Sequence, residues 1–167
     1  MKLVLLAALS FCALLARADD PPAPQDMQRV GAGTLRWFGL RVYDAELRAA
    51  ARPVGFSGPF ALSLRYARAL EGRAIAERSL KEITALGFGS PAQRSAWATA
   101  MQALFPDVAE GDSLTGEHLP GRGARFFHNG RLLGEIDDPQ FSRAFFSIWL
   151  DPRTREPALR AELLGGR

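Results

Sequence analysis

Between Phe60 and Gly87 the hydrophobic period of the chain changes from two to nearly four, and no other feature narrows the fold as much. In FALSLRYAR (Phe60 to Arg68), Phe60, Leu62, Leu64 and Tyr66 share one face while Ala61, Ser63, Arg65 and Ala67 share the other. Successive side chains of a strand point to opposite sides, so this segment reads as a half-buried antiparallel strand. GRAIAERSLKEITALG then supplies good helix formers, with Ala76, Leu80, Ile83 and Gly87 on one stripe and Gly87 as a stop. A chain with both periods buries a helix stripe against a sheet face.

Local punctuation extends the pattern. VGAG (Val30 to Gly33) reads as a turn and Thr34 to Arg48 as one long strand, with large apolar groups and arginines on both faces. Ala51 to Pro59, with two prolines and two glycines, reads as loop. Ser90-Pro91 is an N-cap followed by proline at the first helical position, and the helix it opens carries Trp97, Met101, Leu104 and Phe105. DSLTGEHLP and GARFFH read as strands, and Asn129-Gly130 is the favoured two-residue hairpin turn into RLLGEI. Asp138-Pro139 starts a helix through FSRAFFSIWL, and Pro157 opens a short last one. Two or three strands, two helices, three strands and two helices predict one α+β domain on an antiparallel sheet.

The first residues predict removal rather than folding. Met1-Lys2, the apolar run Leu3 to Leu15 and Ala16-Arg17-Ala18 have the three parts of an export signal, and the apolar run is too short to span a bilayer. We therefore divide the chain into a signal peptide over 1–18, a Pro-rich polar leader over 19–29 and a domain over 30–164. The implied location is periplasmic or secreted, after cleavage near Ala18. Cys12 leaves with the signal, which excludes disulfides, thiol catalysis and thiolate metal sites from the mature chain. Lys2 and Arg17 leave too, so 19 basic residues face 18 acidic ones, and no basic run argues for nucleic acid.

Few residues offer chemistry. His118 and His128 are the only histidines, both are assigned ordinary surface or strand-end roles, and no ligand set for a metal accompanies them. No GxSxG elbow marks a hydrolase. Nothing calls for a cofactor. The arginines beside aromatics on the strands are the better candidates: Arg36, Arg41 and Arg65 stand near Trp37, Tyr43 and Tyr66. A guanidinium held in a dry pocket needs an anion, which a ligand carboxylate supplies bidentately; otherwise these arginines lay their stems on the sheet and put their heads in water. FFSIWLDP (Phe145 to Pro152) is the densest apolar stretch of the mature chain, suited to a packed core or to a lipid pocket.

The ordered segments GAG, FGLRVYDAEL, FALSLRYARALEGRAIAERSLKEI, LFPDVAEGDSL, GARFFHNGRLLGEIDDPQFSRAFFSIWLDP and ALRAELL resemble the chalcone isomerase-like family, in particular its exported bacterial members. The resemblance implies an open-faced β-sandwich, a large antiparallel sheet with helices layered on one face. It also implies one of two activities: intramolecular flavanone ring closure, or non-catalytic binding of fatty acids. Against the isomerase pattern, the arginine position falls on Leu35 with Arg36 one place along, the threonine before Val42-Tyr43 is Phe38, and the helix tyrosine is Ile75. The asparagine position falls near Glu82, and only Ser142 matches a polar member. Phe38 and Ile75 cannot polarise a ketone. The reading is an exported, non-catalytic protein that binds a fatty acid or other apolar acid, with Arg36, Phe38, Arg41, Tyr43, Arg65, Tyr66 and Ser142 as candidate ligand contacts. A divergent isomerase and a cell-envelope protein-interaction module are the alternatives.

Overall fold

The computed structural model describes residues 26–166; the expected signal peptide and most of the leader lie outside them. Six strands form one antiparallel sheet in sequence order: β1 (Gln28–Trp37), β2 (Leu40–Ala49), β3 (Phe60–Tyr66), β4 (Ser113–Leu119), β5 (Gly123–His128) and β6 (Arg131–Ile136). Helices α1 (Gly72–Ala85) and α2 (Pro91–Leu104) follow β3, and α3 (Pro139–Leu150) and α4 (Pro157–Leu163) follow β6. This is the α+β, open-faced arrangement expected. The register explains why one face is apolar. Tyr43, Ala45, Leu47 and Ala49 of β2 stand opposite Tyr66, Leu64, Leu62 and Phe60 of β3, and the last three face Leu114, Gly116 and His118 of β4.

Against that face, α3 packs on β4 and β5, and α4 on β1 and β2. Phe141 and Phe146 of α3 are fully buried, and Phe146 meets Phe60 edge-on at 5.0 Å between centroids. The main partners of α1 are instead α2 and α3, and this leaves α1 standing off the centre of the sheet. The caps follow from their residues. Ser90 and Gln93 form a reciprocal capping box at α2, and Asp138 accepts from the amides of Gln140 and Phe141 at α3.

Two expectations need correcting. The single strand over Thr34–Arg48 is a hairpin: Phe38 and Gly39 have φ of 48° and 79° and form its two-residue turn. Two positive φ values match a primed turn, which suits the twist of the flanking strands; an aromatic at the first position hides it from a reading based on turn residues. VGAG is not a turn but the interior of β1. A Cβ on Gly31 would lie 2.1 Å from the carbonyl oxygen of Glu162, so its glycine admits the backbone of α4. The strand also starts at Gln28, inside the expected leader.

Candidate functional site: an apolar cavity under the sheet

The gap between α1 and the sheet is a cavity of about 380 Å³, within the roughly 300–1,000 Å³ usual for small-molecule sites. Its wall is built by both secondary-structure periods. Leu62, Leu64 and Tyr66 come from the inner face of β3; Leu114 and Gly116 from β4; Phe126 from β5. Ile75, Ser79 and Glu82 come from one stripe of α1, and Phe145, Ile148 and Trp149 from one side of α3. FFSIWLDP is thus divided between core and cavity wall: Phe146 fills the core while its neighbours Phe145, Ile148 and Trp149 line the cavity.

The hairpin contributes Leu35, Arg36, Trp37, Val42 and Tyr43. Strict alternation would turn every second one away. The register slips between Leu35 and Arg36, so that Leu35 faces Tyr43 but Arg36 faces Arg41, and Val42 is the extra residue. Such a bulge twists the strands and re-aims side chains, which brings consecutive residues to one opening.

Polar groups gather where α1 meets the α3–α4 connection. Glu82 is 8% exposed; its Oε1 lies 2.9 Å from Arg78 Nε and its Oε2 3.6 Å from Arg155 Nε. The Arg78 contact is an ion pair without an aligned N–H, so Oε1 stays buried with no hydrogen-bond donor. Both arginine side chains are more than half exposed and therefore mark the mouth. The Tyr43 hydroxyl accepts from Trp149 Nε1 at 3.0 Å. Burial pushes Tyr43 up to about 12, opposed by that hydrogen bond, and burial pushes Tyr66 upward as well. Neither phenol ionises near neutral pH.

Of the seven residues proposed from sequence, Arg36, Tyr43 and Tyr66 border the cavity. The other four lie elsewhere. Phe38 is the exposed tip of the hairpin; Arg41 pairs with Asp44 on its outer side; and Arg65 is exposed on the outer face opposite Asp44. Ser142 is fully buried and bonds His118 Nδ1 at 2.7 Å. His118 departs from the strand-end role expected of it. It is a core residue, 3% exposed, stacked on Phe60, with Nε2 2.9 Å from the Phe56 carbonyl. A carbonyl only accepts, so Nε2 carries the proton and Nδ1 accepts from the Ser142 hydroxyl. Burial holds this histidine below the ordinary range. With both groups sealed from solvent and from the cavity lining, the pair ties α3 to β4 and the 50–59 loop. His128, at the end of β5, lies 3.3 Å from Asp112.

Sequence reasoning missed Arg78 and Arg155 and treated Glu82 only as a departure. A signal existed for part of this: Ile75, Ser79 and Glu82 recur at helical spacing beside the apolar stripe, and polar residues on a burying face ask for a reason. Nothing local links Arg155 to Glu82.

Comparison with known proteins agrees with this architecture. An uncharacterised protein of Haemophilus influenzae is 37% identical over 107 residues, which is 64% of this chain and 52% of that protein; the chain thus spans about half the length of this curated relative. The crystal structure of an Arabidopsis thaliana fatty-acid binding protein superposes with a TM-score of 0.67, covering 87% of this chain and 90% of that one. At 12% identity this is a likeness of fold. The family model described as chalcone isomerase-like matches residues 69–165, from the start of α1 through α4, and on that match the chain belongs to the chalcone isomerase-like family.

Proposed function

We propose that this is an exported, non-catalytic binder of a fatty acid or similar apolar acid, held with its chain in the cavity and its carboxylate among Arg36, Arg78 and Arg155. The observation that carries the reading is a cavity walled by Leu62, Leu64, Phe126, Phe145 and Ile148 that carries arginines at its opening. Among the described residues Arg36 has no carboxylate partner, and Arg78 and Arg155 share the single buried Glu82. Glu156 also lines the cavity, so three arginines face two carboxylates and one positive charge is left over for an anion. The superposed plant protein, a fatty-acid binding protein by name, supports the ligand class. The export signal rests on the first eighteen residues of the sequence.

Magnitudes favour modest affinity. Ten methylenes at about 0.8 kcal/mol each give about 8 kcal/mol gross, and ordering the ligand reduces this, so Kd falls in the micromolar range or above for the chain alone. Ring closure of a flavanone precursor would require donors on a developing oxyanion. Ile75 is apolar, Phe38 is outside the cavity, and both tyrosines are weak acids here.

The test is displacement of a fluorescent fatty acid from purified protein by a saturated fatty acid and by the alcohol of the same length. The acid competes better than the alcohol, and Arg36→Gln with Arg155→Gln removes about tenfold of that preference. Absence of binding would refute the carrier reading; equal competition by the alcohol would refute the arginine site. Conversion of a chalcone would refute the claim that the protein is not catalytic.

A further inference from the structure

The β1–β2 hairpin ends in Arg36-Trp37-Phe38-Gly39-Leu40-Arg41, where Trp37 is 60%, Phe38 90% and Leu40 61% exposed. These are three of the four large apolar residues exposed among the described residues, gathered in four consecutive positions. Scattered exposed apolar residues need no explanation, but a cluster does. The tip also projects. The last β2–β3 pair is Tyr43 with Tyr66, so Leu40 and Arg41 have no neighbour on β3.

Phe38 gains nothing from its own protein. Its φ of 48° is a left-handed conformation that asparagine or glycine adopts at less cost, its side chain is 90% exposed, and its aromatic neighbour is the similarly exposed Trp37, at 5.4 Å between centroids. Neither turn geometry nor packing favours an aromatic there. The remaining source of preference is an external apolar phase. Charge identifies it: arginines bracket the tip, no acid lies between Arg36 and Tyr43, and Asp44, the nearest acid in sequence, pairs with Arg41 and accepts from the Thr34 hydroxyl, which leaves Arg36 as the uncompensated cation. An apolar wedge flanked by cations matches the headgroup–acyl boundary of an anionic bilayer, where aromatic rings bury and arginines meet phosphates.

We infer that the hairpin tip docks the protein on an anionic lipid bilayer. Leu35, Arg36 and Trp37 border the cavity as well, so docking sets its mouth against the lipid. The docking itself needs no ligand; transfer of an acyl chain through that mouth rests on the binding reading above.

The experiment uses ligand-free protein with phosphatidylcholine vesicles, with and without phosphatidylglycerol, read by co-sedimentation and tryptophan emission. Trp97 and Trp149 are 3% and 7% exposed, so a blue shift on binding reports Trp37. Binding should require phosphatidylglycerol and weaken with salt. Phe38→Asn, which suits the turn, should fold normally and lower vesicle partitioning about tenfold or more, and Leu40→Thr should act in the same direction. Equal binding to neutral vesicles, partitioning unchanged in Phe38→Asn, or burial of Trp37 by self-association without lipid would each overturn the inference. Because no fatty acid is present, failure here leaves the displacement assay to judge the cavity independently.

Discussion

Replacing Ser79 by leucine tests whether the space under the sheet is the functional site. Ser79 is 7% exposed, lines the cavity from the middle of α1, and gives its hydroxyl to the Ile75 carbonyl at 2.8 Å. That carbonyl keeps its helical partner, the amide of residue 79, so losing the hydroxyl leaves no orphan. A leucine here buries its side chain against Ile75, Phe145 and Ile148 on one side only, which argues for the lower part of the roughly 1.5–3 kcal/mol that full burial provides. Leucine also exceeds serine in helix propensity by a few tenths of a kcal/mol, roughly. The ligand-free protein should therefore gain about 1–2 kcal/mol, or about 3–6 °C in Tm. Fatty-acid binding should fall by about tenfold or more, because the acyl chain competes with a covalent occupant. Thermal melting and fluorescent fatty-acid titration of the same samples decide it. A loss of stability would mean that α1 already rests on the sheet; a gain without loss of binding would place the ligand elsewhere.

Two further outcomes test the frame around the cavity. Gly31→Ala places a Cβ 2.1 and 2.5 Å from the carbonyl oxygens of Glu162 and Leu163; both are backbone, so α4 must shift, at about 1–3 kcal/mol by urea denaturation, and wild-type stability would refute the close approach. Burial lowers the pKa of His118 in the folded state below its ordinary 6.5, so the unfolded chain binds more protons between the two values. Stability from this group is whole above about 6.5 and declines as pH falls below it toward the folded value. The slope of urea midpoint against pH below 6.5 should shrink in His118→Gln, and an unchanged slope would assign the titration to another group.

Much of the fold was legible because its signals are local. Ser90-Pro91, Asn129-Gly130 and Asp138-Pro139 sit at the start of α2, the β5–β6 turn and the start of α3, and the cap or turn itself involves only groups within three residues, although Asn129 and Asp138 also bond distant partners. The alternation in β3 settled its inner face for the same reason. Phe38-Gly39 escaped because the turn uses a residue that turn statistics disfavour, and the docking proposal gives that choice a purpose. Gly31 and Gly33 were misread as a turn because their smallness serves α4, more than 120 residues later in the chain.

By itself, then, the sequence determined most of the element types, though not the β1–β2 hairpin, together with the antiparallel α+β class, the resemblance that the family match bears out, and the apolar residues available to a core. Only the tertiary structure decided which of them face a gap rather than one another, which of the candidate arginines reaches that gap, and that Glu82 is shared by Arg78 and Arg155 across 73 positions of chain. Periodicity constrains the direction of a side chain relative to its own backbone. Whether that direction meets another side chain, a cavity or water depends on the docking of elements far apart in sequence, such as α1 held off the sheet by α2 and α3.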